Sequence, residues 1–148
     1  MEFVIIILGF IVDRVTKLLS MRFLKAGDIP VIKNYFDLQY VENRGAAFGI
    51  LQDKQIILGL ITLAVVIGII FYLVKNKPTS RILRLSLALI ISGALGNLFD
   101  RFYYKYVVDF LLFHWREVYS WPNFNAADIL VVVGTLLMAL YIVRDVKE

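Results

Sequence analysis

Three aspartates, Asp100, Asp109 and Asp128, stand at the ends of apolar runs, within SGALGNLFDR, VVDF and FNAAD, in a chain that is 60% hydrophobic. An ionised carboxylate in a bilayer costs on the order of 2.5–3.5 kcal/mol unless it is paired or meets water. Two such groups held a few ångström apart cannot both ionise. The ionised one then acts as general base on a water while its protonated partner donates to a carbonyl and later to a leaving amine. Asp109 and Asp128 are the candidates for this aspartyl chemistry. Two other readings stay open, an ion path through the membrane and helix capping. Asn125-Ala126-Ala127-Asp128 has the spacing of a capping box, with an acid where the helix dipole favours it. Asp109 reads otherwise as a solvated loop acid, although Val107, Val108, Phe110, Leu111 and Leu112 argue against full solvation.

Asn97, Asp100 and Arg101 fall at i, i+3 and i+4 and share a helix face. From that face Arg101 reaches a carboxylate and Asn97 donates to a second. Small residues upstream, Ser92-Gly93-Ala94-Leu95-Gly96, allow a neighbouring helix to approach closely, so a packing stripe with a polar end is the plain alternative. Asp13 and Lys17 are an i, i+4 pair. They either brace a polar cluster or snorkel to the interface. The lone His114 has no second histidine and no HExxH context, which leaves zinc without a ligand set. Ser20, Ser80, Ser86, Ser92 and Ser120 show neither a GxSxG elbow nor a basic partner.

The elements that must position these groups are membrane helices. The chain has 148 residues, mean hydropathy +0.76 and no cysteine, so disulfides and thiol chemistry are excluded. The charge-free run from Gln55 to Val74 is twenty residues, enough for a helix to cross the hydrocarbon core. The pattern predicts four spans, about 3–21, 55–74, 83–100 and 126–143, in a single domain over 1–148. Glu2 and Asp13-Arg14 do not suit a cleavable signal, so the first apolar segment reads as a retained helix. The segment KNKPTSRILR carries Lys75, Lys77, Arg81 and Arg84 without an acid, a cytoplasmic signature. Both termini then lie in the cytoplasm, and the loops about 22–54 and 101–125 face outward. The assignment rests on density, since the outer loops hold basic residues too. The formal charge of +4 has this topological use and implies no nucleic acid.

In this topology the aspartates, and Asp13 with Lys17 on the first helix, converge near the outer face, which weighs against an ion path. In the first outer loop, Tyr35 to Val41 alternates apolar and polar residues like a strand. Asn43-Arg44-Gly45 follows as a turn, and residues 46–51 as a second strand or interfacial segment. Phe102, Tyr103, Tyr104, Tyr106, Trp115, Tyr119 and Trp121 suit an interfacial aromatic belt.

Five stretches taken in order resemble the lipoprotein signal peptidase family, signal peptidase II. They are Asp13-Arg14-Val15-Thr16-Lys17, Asn43-Arg44-Gly45-Ala46-Ala47-Phe48-Gly49, Gly93 to Arg101, Val107-Val108-Asp109-Phe110 and Phe124-Asn125-Ala126-Ala127-Asp128. The family usually has glycine where this chain has Ser92. The resemblance implies an all-α membrane protein, four transmembrane helices with a small extracytoplasmic β-sheet cradle and an outer loop closing over the site. It implies catalytic roles for Asp109 and Asp128. Supporting or substrate-binding roles are implied for Asp13, Lys17, Asn43, Gly45, Asn97, Asp100, Arg101 and Asn125. The implied activity is an aspartic endopeptidase of the bacterial membrane. It would cut the signal peptide from a diacylglyceryl-modified prolipoprotein just before the lipidated cysteine, as a monomer among membrane lipids, with no metal or soluble cofactor. A proton- or cation-coupled carrier and a non-catalytic membrane subunit are the rival functions.

Overall fold

The computed structural model describes residues 1–45, 52–116 and 118–145. Its elements run α1 (Glu2–Phe23), β1 (Ile29–Ile32), β2 (Phe36–Asn43), α2 (Gln55–Asn76), α3 (Arg81–Tyr103), β3 (Val107–Trp115), β4 (Tyr119–Ser120) and α4 (Ala126–Asp145). Local chemistry sets the ends. Lys77, left-handed at φ 45°, stops α2 just before Pro78, and the Ser80 hydroxyl accepts the Leu83 N–H to start α3.

The central element is α3. Twelve of its residues are buried, and the other three long helices pack around it. Val66, Ile91 and Ala94 form the apolar core with Ile6, Ile69, Leu73 and Leu95 packed on it. Elsewhere the usual pattern is inverted. Phe3, Leu8, Ile56, Phe71, Val132 and Leu136 are exposed, whereas the buried residues of α1 are Asp13, Lys17 and Ser20. Apolar outside and polar inside is the arrangement a bilayer demands of a bundle.

Among the described residues three helices are long and apolar enough to cross a membrane: Gln55–Asn76, Arg81–Tyr103 and Ala126–Arg144. Of the four expected spans, the first, α1, does not meet this measure. The 22 residues of α1 have the length, but any crossing stretch of it contains Asp13, Arg14 and Lys17.

The four strands form an antiparallel sheet in the order β1-β2-β3-β4. Strand β2 covers most of the alternating stretch read from the sequence. Strand β3 was not anticipated, and it moves Asp109 from a loop onto a strand, opposite Val41. Phe124 is bridged to Leu111 of β3, which pins the chain entering α4 against the strand that carries Asp109. Residues 46–51, read as a second strand or interfacial segment, lie outside the described residues.

Candidate active site

Asp109 and Asp128 come from different elements and are joined by amides. Asp109, in the buried half of β3, accepts Asn43 Nδ2 at 2.8 Å on one oxygen and Asn125 Nδ2 at 2.6 Å on the other. Asp128, in the first turn of α4, accepts Asn97 Nδ2 at 2.8 Å and the Asn125 backbone N–H at 3.0 Å. The Asp128 N–H returns to Asn125 Oδ1 at 3.0 Å. The capping box is therefore formed, and the same carboxylate keeps its other oxygen on Asn97. Capping therefore does not exclude a chemical role for this carboxylate.

Asn125 is wholly buried and touches both aspartates. Its Nδ2 also donates to Asn97 Oδ1 at 3.1 Å. Asn43 is oriented by the turn after β2, where the Gly45 N–H donates to its Oδ1 at 2.9 Å. Burial first, and the charge of Asp128 second, push the Asp109 carboxyl up to about 7 against the opposing pull of its two amide donors. A carboxylic acid that holds its proton near neutrality beside a second carboxylate is the pattern of an acid–base pair.

A cavity of about 1080 Å³ opens onto this pair. Asn43, Asn97, Arg101, Asp109 and Asp128 line its polar end, and Ile61, Val65, Ile90, Ala94 and Val132 its apolar walls. Residues 41–45 and 121–124 form the rim on the two loop sides. Arg101 donates to the Asn97 carbonyl at 3.4 Å, and its buried Nε has no partner. No carboxylate lies within ion-pair distance of it among the described residues, so its charge stays available to the cavity.

Asp100 does not share this site. The helix face divides: Asn97 and Arg101 turn to the cavity, while Asp100 is fully buried against α1. There it pairs with Arg14 at 2.7 Å and Lys17 at 2.8 Å and accepts the Val108 N–H at 3.2 Å. Asp13 completes the cluster with Arg14 at 2.8 Å and Lys17 at 3.1 Å, and it accepts the Ala127 N–H at 3.0 Å. Two cations and two anions thus neutralise one another beneath the start of α4. Lys17 does not snorkel; its side chain is fully buried. The partner that sequence reasoning left out is Arg14. Its signal was adjacency to Asp13, obscured because its second carboxylate is 86 positions away.

Close packing holds the two clusters in register. A Cβ on Gly93 would sit 2.2 Å from the Ala127 carbonyl oxygen, and one on Gly96 would sit 2.4 Å from Asp13 Oδ2. The small-residue stripe and the polar face are therefore one device.

Three comparisons bear on the chain as a whole. Residues 5–144 match a family model described as "Signal peptidase (SPase) II". The sequence is 55% identical to "Lipoprotein signal peptidase" of Clostridium novyi (strain NT), over 99% of this chain and 100% of that protein. It is 52% identical to the protein of the same name from Clostridium acetobutylicum, over 100% of this chain and 97% of that one. A solved structure described as "Bacterial membrane enzyme structure by the in meso method at 2.3 A resolution" is similar at TM-score 0.90 and 29% identity, covering 98% of this chain and 88% of its own.

Proposed function

The chain belongs to the signal peptidase II family, and from that premise we propose that it is a bacterial membrane endopeptidase that removes signal peptides from prolipoproteins with Asp109 and Asp128. The observation that carries the two-aspartate mechanism is the pairing itself. Two largely buried carboxylates meet at the polar end of one cavity through a shared asparagine, and one of them is pushed up to about 7.

In this reading the pair holds one proton. The ionised carboxylate takes a proton from water as the hydroxide oxygen attacks the scissile carbonyl carbon, and the protonated partner donates to the carbonyl oxygen. Collapse of the tetrahedral intermediate breaks the C–N bond, and the leaving amine takes a proton back from the pair. Arg101 supplies a fixed positive charge for substrate carbonyls, and Asn43, Asn97 and Asn125 hold the carboxylates in position. Asp13, Lys17 and Asp100 support the start of α4, and Gly45 orients Asn43.

The apolar walls suit a signal helix, and the polar end suits a bond at the end of that helix, just before a diacylglyceryl cysteine. α1 serves as the fourth span, because Asp13 together with Asp100 of α3 neutralises its Arg14 and Lys17 and its outer face is apolar. Both termini lie in the cytoplasm, and the site lies near the outer face beneath an outer loop. The chain works as one domain over 1–148 and as a monomer among membrane lipids.

The test uses Asp109→Asn and Asp128→Asn in a gel-shift assay on a diacylglyceryl prolipoprotein. Asparagine at 128 still offers Oδ1 to the Asn125 N–H, so a capping role alone predicts a folded and active variant. The acid–base role predicts folded enzymes with cleavage reduced about 100-fold or more. Near-normal cleavage by either variant would overturn the assignment.

A further inference from the structure

The carboxylate of Asp128 is held from the far side of the bundle by a chain of donors that begins on α1. Lys17 Nζ has three hydrogens and meets three acceptors: Asp13 Oδ1 at 3.1 Å, Asp100 Oδ2 at 2.8 Å and Asn97 Oδ1 at 2.8 Å. An ammonium donates and never accepts, so the Asn97 atom facing it is the carbonyl oxygen. The NH2 group must then point the other way, onto Asp128 Oδ1 at 2.8 Å. A flipped amide would set NH2 against the ammonium and a carbonyl against the carboxylate. It would also lose the bond from Asn125 Nδ2.

We propose that Lys17 is a positioning residue for hydrolysis: held by Asp13 and Asp100, it locks the Asn97 amide so that Asp128 always meets an N–H donor on its α3 side. The proposal rests on the two-aspartate reading and deepens it.

Two features favour action through the amide over action through bare charge. The positive charge of Lys17 is neutralised within the cluster, since Arg14 and Lys17 face Asp13 and Asp100. The side chain is also fully buried with every hydrogen assigned, so its orientation is fixed. The charged groups acting on Asp128 from neighbouring elements are Lys17 and Asp13 of α1, Arg101 of α3 and Asp109 of β3. Asp109 reaches it through Asn125, and of the two cations only Lys17 reaches its carboxylate through the Asn97 side-chain amide.

The experiment measures kcat and KM against pH for the full chain in lipid nanodiscs with a diacylglyceryl prolipopeptide. The variants are Asn97→Ala, the charge-balanced pair K17M/D100N, and the two combined. Asn97→Ala and K17M/D100N should each lower kcat roughly 10- to 100-fold with KM little changed, and each should move the acid limb of kcat/KM to higher pH. The combined variant should be no worse than Asn97→Ala. Losses that multiply, or a K17M/D100N enzyme with wild-type kcat and profile, overturn the proposal.

Asn97→Asp keeps a partner for Lys17 and so keeps the bundle together if K17M/D100N does not insert. It too should show the loss and the limb shift, and a wild-type profile from it overturns the proposal on its own. Asp109→Asn and Asp128→Asn run alongside. Cleavage by either sinks the two-aspartate reading, whereas inactivity there with multiplying losses sinks only the role of Lys17.

Discussion

At Asp109 two influences oppose each other, and the balance sets a pH dependence. Burial and the charge of Asp128 favour the proton, while the N–H groups of Asn43 and Asn125 favour the anion, leaving the carboxyl at about 7. The proton is therefore held below about 7 and lost above it, and losing it ends the one-proton state of the pair. The alkaline limb of kcat/KM should begin near neutrality. Asn43→Ala removes one donor to the anion, so the proton persists to higher pH. The limb should move upward by about one pH unit, the worth of one such bond. An unmoved limb would mean that this bond does not tune the carboxyl. Spacing made the capping box at Asn125 and Asp128 readable in the sequence, because both partners lie within one turn. It could not separate Asp100 from the other two aspartates, because that depends on contacts 83 to 86 positions away, to Lys17 and Arg14.

The elements that carry these residues meet through small side chains, and one such contact joins α1 to α3. Ser92 donates to the Ile6 carbonyl at 3.0 Å and lies against Gly9 of α1. A Cβ on Gly9 would sit 2.3 Å from Ser92 Oγ. Gly9→Ala should therefore push α1 from α3 and destabilise the bundle by about 1–3 kcal/mol. Adding Ser92→Gly removes the obstructing hydroxyl and should recover most of the loss. Thermal unfolding of the four corners of this cycle in detergent measures the coupling, and simple additivity would show that the two positions do not interact. The sequence revealed elements unevenly for a similar physical reason. Strand β2 is half-buried along its length, so its residues alternate and the period can be read. The first four residues of β3 are buried on both faces, so they show no alternation beyond the aspartate itself. Residues 107–112 consequently read as an apolar loop.

For the whole molecule, three helices qualify as spans by composition, and the fourth depends on internal neutralisation. If α1 crosses, its two cations and two carboxylate partners cross as one neutral unit with α3, which a hydropathy sum over α1 alone cannot register. The same crossing decides sidedness. With four spans the basic 75–84 segment and both termini share the cytoplasmic side, and the β sheet lies opposite. The absence of cysteine from the sequence makes a direct test simple. Thr79, exposed between α2 and α3, and Val118, 82% exposed beside β4, each take a single cysteine. A membrane-impermeant maleimide applied to intact cells should label Val118→Cys at once and Thr79→Cys only after the membrane is permeabilised. Labelling in the reverse order would invert the topology and put the aspartate pair on the cytoplasmic side. Labelling of both in sealed cells would put the two sites on one side, and α3, which lies between them, would lose its place as a crossing helix.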